Sequence, residues 1–323
     1  MNFWWVNQKQ TYRHEIGEGY MWSPKRQQDG NKHFSYEYIK HVQPGDIIFS
    51  YANAAIIALG IARTHCYSFP KPMEFGRAGI YWSDEGWKVD VQYRKLDTPV
   101  RTMDHIDSLR SLLPSTKSPI QPNNGRGNQA YLFQIEKPLA IALAHLIDAH
   151  TVALVSGNHI ADSTETADTI DIHIEEWENR IEGDILTAEN ISETVRETLV
   201  KARRGQGKYR ELLLGREPRC RITGVDKPEH LIASHIKPWR SSSNQERVDP
   251  GNGFMLTPTI DHLFDKGFMS FDNDGSILLA DVADRGAMDR MGVIGGDAPT
   301  NVGNFSEDQK HYLDWHRESI LLR

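Results

Sequence analysis

Between residues 220 and 267, turn-forming residues cut the chain into short pieces, and this punctuation constrains the local fold more than any other feature. Cys220-Arg221-Ile222-Thr223-Gly224 reads as a strand entering a turn, and Leu231-Ile232-Ala233-Ser234-His235-Ile236 as the returning strand. A polar loop with Ser241, Ser242, Ser243 and Asn244 leads to the turn cluster Asp249-Pro250-Gly251-Asn252-Gly253. Phe254-Met255-Leu256 reads as a short buried strand. Thr257-Pro258 is a helix start, with Thr as N-cap and Pro at the first helical position. Gly267 is placed to end that helix. The segment therefore sets His235 at a strand end, Asn252 in a loop and His262 on a helix.

The net charge of −7 over 323 residues counts, as an average, against a partner rich in phosphate. Its distribution changes that conclusion. Net charge is +3 over residues 1–160, −10 over 161–200, +5 over 201–270 and −5 over 271–323. The acidic stretch begins with loop composition from Ser156 to Asp171. It continues as a helical pattern from Ile172 to Leu199, with Ile174, Trp177, Ile181 and Ile185 on one face and glutamates between them. These shifts divide the chain into residues 1–150, an acidic linker and helix at 151–199, and residues 200–323.

Two cysteines, Cys66 and Cys220, exclude a disulfide framework and a four-cysteine zinc ribbon, so no structural zinc is expected. Two reduced thiols suit a cytoplasmic protein. The apolar run at Met1–Val6 is too short for a signal peptide, and Leu139–Ile147 is too short to span a bilayer, so no membrane partner is expected.

Residues 1–140 hold Trp4, Trp5, Trp22, Trp82 and Trp87. Phe3–Asn7, Ile47–Tyr51, Ile56–Ala62, Trp87–Leu96 and Tyr131–Ile135 read as strands, with turns at Gln43–Asp46 and at Asn53. Short strands with turns between them predict a small β-barrel with flanking helices. The fold class is thus α+β, with a barrel followed by a helical connector and a strand–helix domain.

The C-terminal segment resembles the HNH nucleases, whose core is a ββα-metal unit. The resemblance is carried by Arg203-Arg204-Gly205-Gln206-Gly207-Lys208-Tyr209-Arg210, then Ala233-Ser234-His235-Ile236-Lys237-Pro238-Trp239, Asn252-Gly253 and His262-Leu263-Phe264-Asp265-Lys266-Gly267. It implies one divalent cation per nuclease site, Mg2+ or Mn2+, with Ni2+ and Co2+ as further candidates. Phosphodiester hydrolysis needs an activated water and a cation on the phosphate. His235 is then the general base, Asn252 orients its ring or strand, and His262 is a metal ligand with Asp261 and Asp265 as nearby carboxylates. Many HNH enzymes carry a ligand just before the base, where this chain has Ser234. Arg203, Arg204, Lys208 and Arg210 are expected to contact DNA phosphate.

The N-terminal half resembles the EVE domains of the PUA-like superfamily, and more distantly their YTH relatives. The matching segments are Phe3-Trp4-Trp5-Val6-Asn7, Tyr20-Met21-Trp22-Ser23-Pro24-Lys25, Pro44–Tyr51 and the Asn124–Gln129 loop. This implies a pocket for a flipped, modified base, walled by Trp22 and Trp82, with Ser23, Asn7 and Asn53 available to its edge and Arg126 to phosphate. Trp4, Trp5 and Trp87 are expected in the core. His230, His311 and His316 lack a motif context and are read as ordinary structural histidines.

Together the two halves resemble modification-dependent restriction endonucleases of the EVE–HNH type. The resemblance implies cleavage of double-stranded DNA carrying 5-methylcytosine or 5-hydroxymethylcytosine, with the connector setting the distance of the cut. One nuclease site per chain implies a homodimer or two sequential nicks for a double-strand break. The apolar residues of Asn301–Arg323 predict a helix that packs on the core or on a partner chain. Two other readings remain open on sequence. One is a nuclease for RNA or unmodified DNA with the barrel as a clamp, and the other is a modified-base binder with an inactive nuclease core.

Overall fold

The computed structural model describes residues 1–27, 30–79, 82–157, 166–188, 191–203, 205–296 and 298–322. Arg204 lies outside the described residues. The chain divides into two compact units, Met1–Ile172 and His173–Arg323. Among the described residues, no helix is long and apolar enough to cross a membrane.

The first unit is built from β1 (Phe3–Asn7), α1 (Tyr12–Glu18), β2 (Tyr20–Pro24), α2 (Phe34–Glu37), β3 (Ile47–Ala52), β4 (Ala55–Ala62), β5 (Tyr67–Pro70), β6 (Glu85–Val100), α3 (Ile106–Leu109), β7 (Leu132–Ile135), α4 (Lys137–Ile147) and α5 (Ala149–Val155). Its strands form one curled, half-barrel sheet in the order β2-β6-β4-β3-β1-β7, with β5 also on β6. β6 is long enough to serve two neighbourhoods. Its first part pairs with β2 and β5 on either side, and its second part pairs with β4. β3 and β4 are joined by Asn53 and Ala54, both at positive φ, as the twist of a two-residue hairpin demands.

β1 is buried along its whole length, between β3 (parallel) and β7 (antiparallel). Trp4 and Trp5 have no exposed surface, and each buried indole finds an acceptor, Asp46 Oδ2 at 2.8 Å and Asn7 Oδ1 at 3.0 Å. Trp87 is buried too. The apolar stretch at 139–147 is α4, whose Leu139 and Leu143 pack on Trp5, Phe49 and Phe133 of the sheet.

The rest of the chain forms α6 (Thr166–Thr187), α7 (Glu193–Arg203), α8 (Lys208–Arg216), β8 (Ile232–His235), β9 (Gly253–Leu256), α9 (Pro258–Asp265), β10 (Met269–Phe271), β11 (Ile277–Leu279), α10 (Arg285–Arg290) and α11 (Glu307–Ser319). β8 and β9 pair antiparallel, with Ser234 opposite Phe254 and His235 opposite Gly253, and α9 follows directly. Phe254 sits in a ring of Phe264, Phe271 and Phe305 at 5.4–5.9 Å. α11 closes the same core with Tyr312 and Leu313.

Two sequence expectations are corrected here. Cys220–Thr223 is a turn and not a strand. The Cys220 N–H donates to Val225 O and the Gly224 N–H to Cys220 O, a tight loop that Gly224 closes at φ 72°. The single helical pattern at 172–199 is two helices, α6 and α7.

Candidate functional site

His235 ends β8 with its ring fixed on two sides. The Tyr209 ring stacks on it at 4.4 Å and 3° from parallel, and its Nε2 lies 3.0 Å from Arg247 O. A carbonyl oxygen only accepts, so Nε2 carries the proton and Nδ1 keeps the free lone pair. Burial pulls the ring's pKa down to about 4, against the carbonyl's pull upward, so His235 is neutral at pH 7.

Asn252 is fully buried, and its side-chain hydrogen bonds go to the loop after His235. Its Oδ1 accepts from Lys237 N (2.7 Å), and its Nδ2 donates to Lys237 O, Ser242 Oγ and Glu246 O. Its own main-chain oxygen accepts from Tyr209 Oη and from Ile236 N. One side chain thus ties both ends of the loop that follows His235. That loop is also held by Arg247, which donates to Trp239 O and Asn244 Oδ1 and lies over the Trp239 ring.

On α9, Asp261 and Asp265 stand one helical turn apart on one face, while His262 is exposed. Burial, with the Asp265 charge adding to it, pushes the Asp261 carboxyl up to about 6, against a hydrogen bond from Ser234. Asp265 lies 3.8 Å from the buried Arg240 guanidinium and 3.9 Å from Lys266 Nζ. Among the described residues, no group of three or more His, Cys, Asp or Glu is placed to hold a metal ion. The donor set instead fits an open site, in which one or two carboxylates share a hard cation with water and substrate phosphate.

The basic residues are placed as follows. Arg203 bonds Glu178, Asn179 and Glu182 of α6. Arg210 donates to the carbonyls of Pro228 and Leu231. Lys208 and Arg126 are exposed. A hollow of about 440 Å³ runs beside β8, lined by Arg203, Gln206, Arg210 and Ala233. Sequence reasoning gave no role to Tyr209, although it sits in the quoted motif, or to Arg240. His316 is a satisfied core residue, bonded to Ser270 Oγ and Phe264 O.

The first unit holds a larger cleft of about 870 Å³. Trp22, Trp82 and Asn7 line it, with Gln8, Thr11, His33, Tyr36 and Tyr131. Trp22 is 1% exposed and forms the back of the wall, while half-buried Trp82 is the more open indole, 6.1 Å away. Gly86 makes room for Trp22, because a Cβ there would lie 2.2 Å from its ring. The Asn7 amide donates to the carbonyls of Asn128 and Ala130, which anchors the 128–130 segment at the cleft. Ser23 and Asn53 do not line the cleft. Ser23 is buried with Oγ towards Tyr36 O, and Asn53 lies exposed in the β3–β4 turn.

An antiparallel strand pair, a helix behind it and a neutral histidine at the strand end stand together in this segment. Residues 220–272 match the family model described as HNH endonuclease, so the chain carries an HNH endonuclease domain. HNH endonucleases hydrolyse phosphodiester bonds of DNA and generally use one divalent metal ion. A comparison with curated proteins finds no match. Similar solved structures include a protein of Pseudomonas syringae (11% identity, 45% of this chain and 98% of that chain, TM-score 0.31). Others are a protein of Rhodopseudomonas palustris (18%, 33% and 71%, TM-score 0.23) and a mutant ASCH protein of Zymomonas mobilis (9%, 46% and 100%, TM-score 0.28).

Proposed function

We propose that this chain is a modification-dependent DNA endonuclease, with a PUA-like base reader in its first unit and an HNH nuclease in its second. The observation that carries the reading is the cleft backed by Trp22 and Trp82 in a chain that also holds an HNH domain. A base taken out of a duplex loses its stacking, and an aromatic wall returns about 1–3 kcal/mol of it per base. Trp82 offers that face and Trp22 holds it from behind. The ligand class is 5-methylcytosine or 5-hydroxymethylcytosine in double-stranded DNA.

In the nuclease, His235 Nδ1 takes the proton of the attacking water. The Arg247 carbonyl fixes the tautomer, and Tyr209 fixes the ring plane. Asn252 holds the loop that carries the Arg247 carbonyl. A divalent cation held by Asp261 or Asp265, or by both, and completed by water and the substrate phosphate would supply positive charge to the phosphate and the leaving oxygen; His262, exposed beside them, does not form a three-residue metal group with them. Lys208 and Arg126 are exposed cations available to phosphate. Each chain has one such site, so a double-strand break takes a homodimer or two nicks.

The test is cleavage of matched plasmids with and without cytosine methylation, in Mg2+ or Mn2+. Cutting confined to the methylated plasmid supports the reading, and equal cutting of both contradicts it.

A further inference from the structure

Glu15 on α1 has no exposed surface. Its carboxylate accepts from Gln8 Nε2 (3.0 Å), the Tyr131 hydroxyl (2.7 Å), the Trp22 main-chain N–H (3.3 Å) and the Thr11 hydroxyl. All four donors belong to residues that line the aromatic cleft, and none of them is a cation. A buried carboxylate without a cationic partner is costly to keep, and such groups concentrate at functional sites.

Counting hydrogens shows what this carboxylate does to the cleft. A hydroxyl has one hydrogen to give. Tyr131 gives its hydrogen to Glu15, that of Thr11 is shared between Glu15 and the Gln8 main-chain oxygen, and the Tyr131 oxygen also accepts from the Trp22 N–H at 3.0 Å. The Gln8 amide bonds Glu15 and Tyr93 Oη through Nε2, and its Oε1 accepts from Ser50. The Asn7 amide hydrogens go to main-chain carbonyls. What these side chains have left for a ligand is acceptor lone pairs.

We propose, resting on the reader function assigned above to this cleft, that Glu15 is a positioning residue that sets the cleft to take a base edge bearing an amino group. The 4-amino edge of cytosine meets that requirement. At position 4 thymine brings a keto oxygen, lone pairs against lone pairs, and it keeps a donor only at N3–H, so the two bases are told apart where the acceptors face position 4. A site built on hydrogen bonds rejects the wrong edge strongly, because its polar groups are left unpaired.

5-Methylcytosine and thymine share the ring and the methyl group and differ at that edge, so they make a sharp pair of probes. The experiment measures binding of the full chain, in EDTA to prevent cutting, to single-stranded oligonucleotides carrying one cytosine, 5-methylcytosine or thymine. Wild type is expected to bind 5-methylcytosine at least about tenfold tighter than thymine. In Glu15→Gln the amide brings its own N–H, a hydroxyl must reverse, and the ratio is expected to fall within about threefold.

A pH series on wild type needs no variant. Burial raises the Glu15 pKa to about 7, and protonation turns one hydroxyl around, so the ratio grows from pH 6 to pH 8. The titratable groups facing Glu15 are Tyr20, Tyr93 and Tyr131, all held above their ordinary range by burial. Lys9 and His33 also line the cleft, and His33→Asn separates any histidine contribution. A ratio unchanged in Glu15→Gln and flat with pH overturns the role of Glu15 and leaves the reader standing. Equal binding of cytosine and 5-methylcytosine overturns the reader, and this proposal with it.

Discussion

The Tyr209 ring lies flat on the His235 imidazole, 4.4 Å from it and 3° from parallel, while its hydroxyl donates to the main-chain oxygen of Asn252 at 3.0 Å. One side chain from α8 thereby joins the two residues to which the proposed mechanism gives the base and its supporting loop. The contact needs a glycine at 253, where a Cβ would stand 2.3 Å from the Tyr209 oxygen and 3.0 Å from Leu213. Gly253→Ala should therefore free the His235 ring. Plasmid cleavage should slow by about 10–100-fold, since misplacing a base by about 1 Å costs that much. Unchanged cleavage would show that the stack does not hold the base.

His235→Ala should slow metal-dependent cleavage by about 10²–10⁴-fold, the usual contribution of a general base. DNA affinity should stay within about twofold. Cleavage at the wild-type rate would place the base elsewhere.

Asp265→Asn removes a carboxylate from the face of α9 that carries Asp261. The Mn2+ concentration giving half-maximal cleavage should rise about tenfold or more, with activity partly recovered at high metal. An unchanged metal titration would remove Asp265 from the ligand set.

The buried Glu15 also sets a pH dependence of stability. Its folded pKa of about 7 lies above its ordinary value of 4.5, so between those values the folded state binds more protons than the unfolded one. Unfolding free energy should then fall as pH rises from about 4.5 to 7. Glu15→Gln should flatten that slope, as read from urea midpoints across the window. A wild-type slope of the opposite sign would contradict the assignment.

Much of this was legible in the sequence. β1, β9 and α9 follow from apolar runs and from the Thr-Pro and Gly signals at their ends, because those rules are local. The placement of Trp22 and Ser23 was half legible. Successive residues of a strand point to opposite faces, so a strand that gives Trp22 to the cleft turns Ser23 to the other side. Pairings across distant segments were not legible. Nothing local shows that Arg203 meets Glu178 and Glu182, or that Glu15 meets Tyr131. The Cys220 turn is not legible locally, because the alternation of Cys220 and Ile222 with Arg221 and Thr223 suits a strand, while the hydrogen bond to Val225 that decides the matter lies just beyond it.

Gly86→Ala would push a methyl group into the Trp22 ring. It should reduce the preference for methylated DNA by about tenfold or more while leaving the metal requirement unchanged. Retained preference would show that the position of Trp22 does not matter to the cleft.

The most direct test of the account compares wild type and Trp82→Ala on two plasmids identical except for cytosine methylation. Wild type is expected to cut only the methylated plasmid, and Trp82→Ala to lose this cutting. Equal cutting of both plasmids by wild type, or full methyl-dependent cutting by Trp82→Ala, would contradict it.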